Sequence, residues 1–226
     1  MHVSINGPRR GTTLIELTVV LALIALLLTL AIPAYNSALR TARQFQCHGH
    51  LRQWGVATQL YALANDDFLP PDGAPNGRST RAGWYVSLPK ELRLEPYHQA
   101  PWRTNALAPL PRSIWFCPAN KRRSNGHNLF HYCLNQHING RGAGNQIKQT
   151  SLGQPERLIW LFDNRKQAAV AQQNNVHTNL HGTGAQFLLL DGHVEHQTSN
   201  LYWNYEANQG RKTGPLLWHP NPPKTD

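Results

Sequence analysis

From Leu14 to Ala34 the chain reads LIELTVVLALIALLLTLAIPA, in which 17 of 21 residues are apolar. A helix rises 1.5 Å per residue, so about 20 such residues cross the ~30 Å hydrocarbon core of a bilayer. The rest of the sequence contains no comparable stretch. Arg9 and Arg10 precede the run and no Lys or Arg follows before Arg40, which predicts a single-pass anchor with a cytoplasmic N-terminus and the remainder outside. A secretory signal has an apolar core of about 7–15 residues and a small-x-small cleavage site. Here the run is longer, Thr29 and Ala31 make a poor cleavage site, and Glu16 sits in its first turn. A lone charge costs roughly 2.5–3.5 kcal/mol at mid-bilayer on insertion scales and less near the edge, so this carboxylate needs a partner.

Beyond the apolar run the sequence is polar by comparison. The 226 residues carry 22 Lys and Arg against 12 Asp and Glu, a formal charge of +10. Only 15% are charged, and with seven Trp and seven Tyr the chain is neither wholly disordered nor a multi-span membrane protein. About 190 residues beyond the apolar run can bury one real core.

Tyr35, Ala38, Leu39, Ala42, Phe45, Leu51, Trp54, Thr58 and Tyr61 recur at three- and four-residue spacings, predicting that the helix continues to about Ala64 with these side chains packed on a head. Asn65-Asp66-Asp67 and Pro70-Pro71 stop it, and Pro33 predicts a kink or local melting. Turn formers between Phe68 and Leu110 predict loops around a short helix at Gly83–Leu88. Strands are expected at His131–Asn135 and Arg157–Asp163. Ala185–Leu190, Asp191-Gly192 and His193–Gln197 form a hairpin signature with a two-residue positive-φ turn. The last 17 residues, with Pro215, Pro220, Pro222 and Pro223, are expected to be a mobile tail.

Gly11-Thr12-Thr13-Leu14-Ile15-Glu16-Leu17, with two arginines ahead and an apolar helix behind, resembles the class III signal of type IV pilins and type II secretion pseudopilins. The resemblance implies cleavage by a prepilin peptidase between Gly11 and Thr12, N-methylation of Thr12, and a filament-assembly role for Glu16 as the fifth residue of the mature chain. Ile32-Pro33-Ala34-Tyr35 is similar to a segment of many pilins. Thr12 departs from the usual phenylalanine, which puts methylation in question more than cleavage. Cleavage creates an α-ammonium four residues from Glu16, and the two charges can pair within or between subunits. The implied fold class is α+β: a pilin-like long N-terminal helix, half transmembrane and half packed, on a small antiparallel head with long loops. The implied organisation is a cleaved basic leader 1–11, a transmembrane half 12–34, an outer helix half 35–66, a head 67–209 and a flexible tail 210–226.

His181, nine residues, then Asp191-Gly192 looks like the C-terminal element of a large group of pilin-like proteins described as prepilin-type processing-associated. The segments around Cys47, Tyr61–Pro70 and Trp115–Pro118 are also similar to that group. The second resemblance supplies no activity.

His181, Asp191, His193 and His196 are residue types that bind divalent metals, but the spacing is not diagnostic and a turn with structural histidines is the preferred reading, so no metal or cofactor is expected. Cys47, Cys117 and Cys133 all fall on the oxidising side of the span, where one disulfide and one leftover thiol are expected. Cys47 with Cys117 is the preferred pairing of three that remain open. A Cys/His nucleophile pair has no surrounding signature, and no Walker loop, GxSxG or HExxH is present. Removing Arg9 and Arg10 leaves 20 Lys and Arg against 12 acidic residues, with Lys121-Arg122-Arg123 the densest cluster.

The expectation is a non-enzymatic structural subunit at the inner membrane with an extracytoplasmic head. Its partners would be a prepilin peptidase, other pilin-like subunits and an inner-membrane assembly platform. An alternative is a minor pilin whose basic head binds nucleic acid or an anionic polymer. A more remote one is a membrane-tethered metal-binding protein.

Overall fold

The computed structural model describes residue 11 and residues 13–139 and 146–220; the leader residues 1–10, Thr12 and residues 221–226 of the predicted tail lie outside them. The chain divides into two compact units, Met1–Ala42 and Arg43–Asp226. Helix α1, Leu14–Ala64, runs through the division and is unbroken at Pro33, so local melting is not observed there.

In the first unit the helix starts on a reciprocal cap. Thr13 N–H and its hydroxyl donate to Glu16 Oε2 at 2.8 and 3.1 Å, and Glu16 N–H donates to Thr13 Oγ1 at 3.3 Å. This is the capping box of a Thr-x-x-Glu sequence, which satisfies backbone donors that the first helical turn leaves free. The helix is long and apolar enough to cross a membrane, and its large apolar side chains are exposed from Leu14 (78%) to Ile32 (58%).

The second unit takes in α1 from Arg43 onward. Tyr35 and Phe45 are exposed, contrary to the expected packed stripe, and the buried positions are Cys47, Leu51, Trp54, Gly55, Ala57, Thr58 and Ala62. At three- to four-residue spacing these make one helical face. The helix ends where Asn65 Nδ2 donates to the Tyr61 carbonyl (2.8 Å) and Asp66 and Asp67 turn to φ of 51° and 70°. Asp67 then accepts from Thr150 N–H at 3.0 Å and Thr150 Oγ1 at 2.5 Å, bonds that hold its carboxyl below the usual carboxylate range.

The head sheet comprises β1 (Tyr132–Asn135), β2 (Ile159–Asp163), β3 (Val170–Ala171), β4 (Gly184–Leu189) and β5 (Val194–Thr198), in the order β3-β1-β2-β4-β5. It is mixed rather than antiparallel, because β3 pairs parallel with β1. Helix α2, Trp84–Glu91, is the short helix expected near Gly83–Leu88. Trp54, Trp84, Trp115, Tyr97 and Phe130 form an aromatic cluster between α1, α2 and the loops; Tyr97 stacks on Phe130 at 4.5 Å and Trp54 lies 4.7 Å from Trp115. Three indole N–H groups are satisfied: Trp54 by the Ile114 carbonyl, Trp84 by the Ala169 carbonyl and Trp160 by Thr58 Oγ1.

A second apolar layer, including Ile159, Phe162, Phe187, Leu189, Trp203, Leu216 and Trp218, lies apart from that cluster. Its presence corrects the expectation of a tail that is mobile from residue 210. Ile159 N–H donates to the Leu217 carbonyl (2.9 Å), Leu217 N–H to the Arg157 carbonyl (2.8 Å), and Asn135 Nδ2 to the Trp218 carbonyl (2.8 Å). The physical reason is burial on both faces: β2 and β4 are buried at every position, and Leu216 and Trp218 supply part of the cover that a solvated face would not need. Strands β6 (Trp203–Asn204) and β7 (Gln209–Gly210), with the short helix α3 (Ser199–Tyr202), connect β5 to this segment.

Candidate functional site

Two places carry the residues singled out by sequence. At the N-terminus Gly11 is exposed, and among the described residues nothing lies within 4 Å of the position a Cβ would take. Its partner in the expected cleavage, Thr12, lies outside the described residues. Glu16 is engaged by Thr13, so the carboxylate has a local hydrogen-bonding role in addition to whatever its charge does. The Thr-x-x-Glu spacing is itself a helix-start signal, hidden in the sequence because the same residues belong to the longer class III pattern.

The second place is the head's C-terminal hairpin. The structure separates the two parts of the His181…Asp191-Gly192 element. Asp191 and Gly192 belong to a three-residue loop with Leu190, not a two-residue turn: Gly192 N–H donates to the Leu189 carbonyl (3.0 Å) and Leu189 N–H to the His193 carbonyl (2.9 Å). Only Gly192, at φ 95°, is left-handed, the pattern of a type I turn closed by a glycine bulge. Asp191 accepts from His193 N–H and faces the His193 ring at 2.7 Å, an exposed local pair. The loop docks on α1. A Cβ at Gly55 would come 2.9 Å from Leu188 Cδ1 and 3.2 Å from the Gly192 carbonyl oxygen, and Gln59 Nε2 donates to the Leu190 carbonyl at 3.0 Å. Gly55 is therefore the partner of Asp191-Gly192 that sequence reasoning does not find; an isolated helical glycine is its only signal.

His181 goes elsewhere. It is buried with Nε2 at 3.1 Å from Asp163 Oδ2 and 3.4 Å from Cys117 Sγ, and Cys117 is joined to Cys47 by a disulfide. Asp163 is fully buried at the end of β2; its Oδ2 also accepts from Gln186 N–H (2.8 Å), while among the described residues Oδ1 has no hydrogen-bond partner. His196 Nε2 lies 3.1 Å from the His181 carbonyl oxygen. The four residues His181, Asp191, His193 and His196 do not assemble: among the described residues the His, Cys and carboxylate group close enough to share an ion is Cys47, Cys117 and His181. In the sequence Asp163 shows only as the end of an apolar strand.

Neighbouring buried groups are held neutral. Desolvation drives the His131 imidazole down to about 4 despite its contact with the Arg122 carbonyl, and pushes the Cys133 thiol well up, so this free, buried cysteine is a core side chain. The basic cluster is partly consumed by the fold. Arg122 is half-buried and donates to the Phe130 and Asn164 carbonyls at 2.9 and 2.8 Å, and Arg123 donates to the Ala108 carbonyl at 3.1 Å. Burial lowers the Arg122 guanidinium to about 10, still cationic at neutral pH.

No family model, no curated protein and no solved structure matches the chain.

Proposed function

We propose that the chain is a pilin-like subunit: cleaved after Gly11 by a prepilin peptidase, held in the inner membrane by the first part of α1, and assembled with similar subunits into a type II secretion or type IV pilus-like filament. The observation that supports this most is the union of the Gly11–Glu16 signal with one continuous helix whose apolar first part is uncovered and whose last part enters an α+β head. The subunit performs no chemistry of its own in this role. Cleavage supplies a new amino terminus, Glu16 a charge to pair with it, and the uncovered helix a surface for lipid and then for neighbouring subunits.

The capping box makes the role of Glu16 separable into charge and cap. Glutamine serves at this capping position as well as glutamate. Glu16→Gln keeps the helix start and removes the charge, and should abolish crosslinking of the subunit into filaments in cells while leaving membrane insertion unchanged. Normal crosslinking in Glu16→Gln would mean that Glu16 is a helix cap only, and the charge-pairing assembly role would fall.

The nucleic-acid alternative loses support because Arg122 and Arg123 donate to backbone carbonyls of the head's own loops.

A further inference from the structure

Three ligand-type side chains from distant parts of the chain converge in the head. Cys47 comes from α1, Cys117 from the loop after Phe116, and His181 from the loop before β4; Cys47 Sγ, Cys117 Sγ and one His181 ring nitrogen all lie within 4.8 Å of one another. Asp163 at the end of β2 lies beside this group rather than within that distance of all three, with Oδ2 3.1 Å from His181 Nε2. All four residues are buried, at 0% exposure for both cysteines and the aspartate and 5% for the histidine. Among the described residues Asp163 Oδ1 has no hydrogen-bond partner, a costly state for a buried carboxylate oxygen.

A disulfide is neutral and is covered equally well by apolar side chains. An imidazole held against it can donate to a thiolate, and a buried carboxylate beside that imidazole matches a cation rather than a neutral disulfide. Two thiolates and one imidazole nitrogen are a three-ligand protein set for tetrahedral zinc, which sits about 2.3 Å from sulfur and about 2.0–2.1 Å from nitrogen and takes water in its fourth position. Asp163 Oδ2 faces His181 Nε2 and accepts from Gln186 N–H, so the carboxylate fixes the histidine's place beside the sulfurs.

We propose that the Cys47–Cys117 disulfide is reversibly reduced and that its dithiol form is a site for a thiophilic divalent ion, bound by Cys47 Sγ, Cys117 Sγ and His181 Nε2, with the Asp163 carboxylate positioning the histidine. A dithiol reductant transfers two electrons and two protons to the disulfide, giving two thiols and the reductant's own disulfide. Binding of the ion then releases the two thiol protons to solvent. A groove of about 770 Å³, lined in part by Gln46, His50, Phe116, Cys117 and Pro118, runs beside the disulfide, whose two cysteines are themselves buried. In both forms α1 remains tied to the head at residue 47, by a covalent bond in one and through the ion in the other. The site stands independently of the filament reading.

The test uses the full chain in detergent, reduced with a phosphine, freed of reductant without air, and equilibrated with zinc or cobalt. One zinc per chain is expected after reduction and none before it, with a thiolate-to-cobalt charge-transfer absorption in the cobalt form. Cys47→Ser and Cys117→Ser should abolish binding, His181→Asn and Asp163→Asn should weaken it at least about 10-fold, and Cys133→Ser should leave it unchanged. A reduced chain that stays folded by circular dichroism and takes up no zinc overturns the proposal. So does a reduced chain that unfolds even with zinc present, or a Cys47→Ser/Cys117→Ser double variant that binds as well as the parent.

Discussion

The two parts of α1 share one uninterrupted backbone and meet opposite fates. From Leu14 to Tyr35 the large apolar side chains are exposed, whereas from Cys47 to Ala62 a single face is buried among aromatic residues and strands. Propensity does not separate them, since both are helical; what differs is where the partner for the apolar surface comes from. The later part draws its partner from its own chain and so shows helical amphipathicity. The earlier part is apolar nearly all round, which is the composition of a helix whose partner lies outside the chain.

The sharpest ways to break this contrast act on the head's own cover. Deleting residues 210–226, or substituting Trp218→Ala, strips the second apolar layer; the single substitution should cost about 3–5 kcal/mol, read as loss of near-ultraviolet dichroism at lower denaturant. A deletion variant as stable as the parent would restore the mobile tail that composition predicted. Cys47→Ser opens a link between residues 70 apart and should cost about 2–4 kcal/mol by chemical denaturation.

Leucine truncation then compares the two parts of the helix directly. Leu51→Ala should destabilise the head by about 2–5 kcal/mol and Leu23→Ala by no more than about 0.5 kcal/mol, because only the first is buried. Equal effects would erase the distinction.

A smaller effect lies in the pH dependence. His131 is driven down to about 4, so the unfolded chain, with a histidine near 6.5, binds more protons in that interval and stability falls as pH drops from about 6.5 to about 4. Asp72 is buried, accepts from Asn139 Nδ2 at 2.8 Å, and its carboxyl is pushed up to about 7 by desolvation. There the folded state keeps a proton the unfolded chain has lost, and stability falls as pH rises from about 4 to about 7. The two trends oppose each other. Asp72→Asn removes the second, so its melting temperature should climb between pH 4.5 and 7 more steeply than the parent's; parallel profiles would contradict the burial of Asp72.

Much of the architecture is legible in the sequence because it follows from periodicity and local chemistry. The helix to Ala64, its Asn-Asp-Asp stop, the two apolar strands and the Asp-Gly hairpin are all local signals, and the structure places elements at each. The parallel edge β3, only two residues long, carries no periodicity to read. The docking of residues 216–218 depends on β2 and β4 being buried on both faces, a tertiary fact that proline content obscures. At the hairpin the sequence points to His181 and Asp191-Gly192 as one element, but the partners of each, Asp163 with Cys117 and Gly55 with Gln59, are far away in the chain. Pairings over such separations leave no spacing to detect.

The central claim concerns the first residues of the mature chain, and intact mass with N-terminal sequencing of the protein from membranes of cells with and without a prepilin peptidase tests it most directly. A pilin-like subunit should begin at Thr12, with or without one added methyl group, only where the peptidase is present. A chain still beginning at Met1, or one cut near Ala31, in peptidase-containing cells would contradict it.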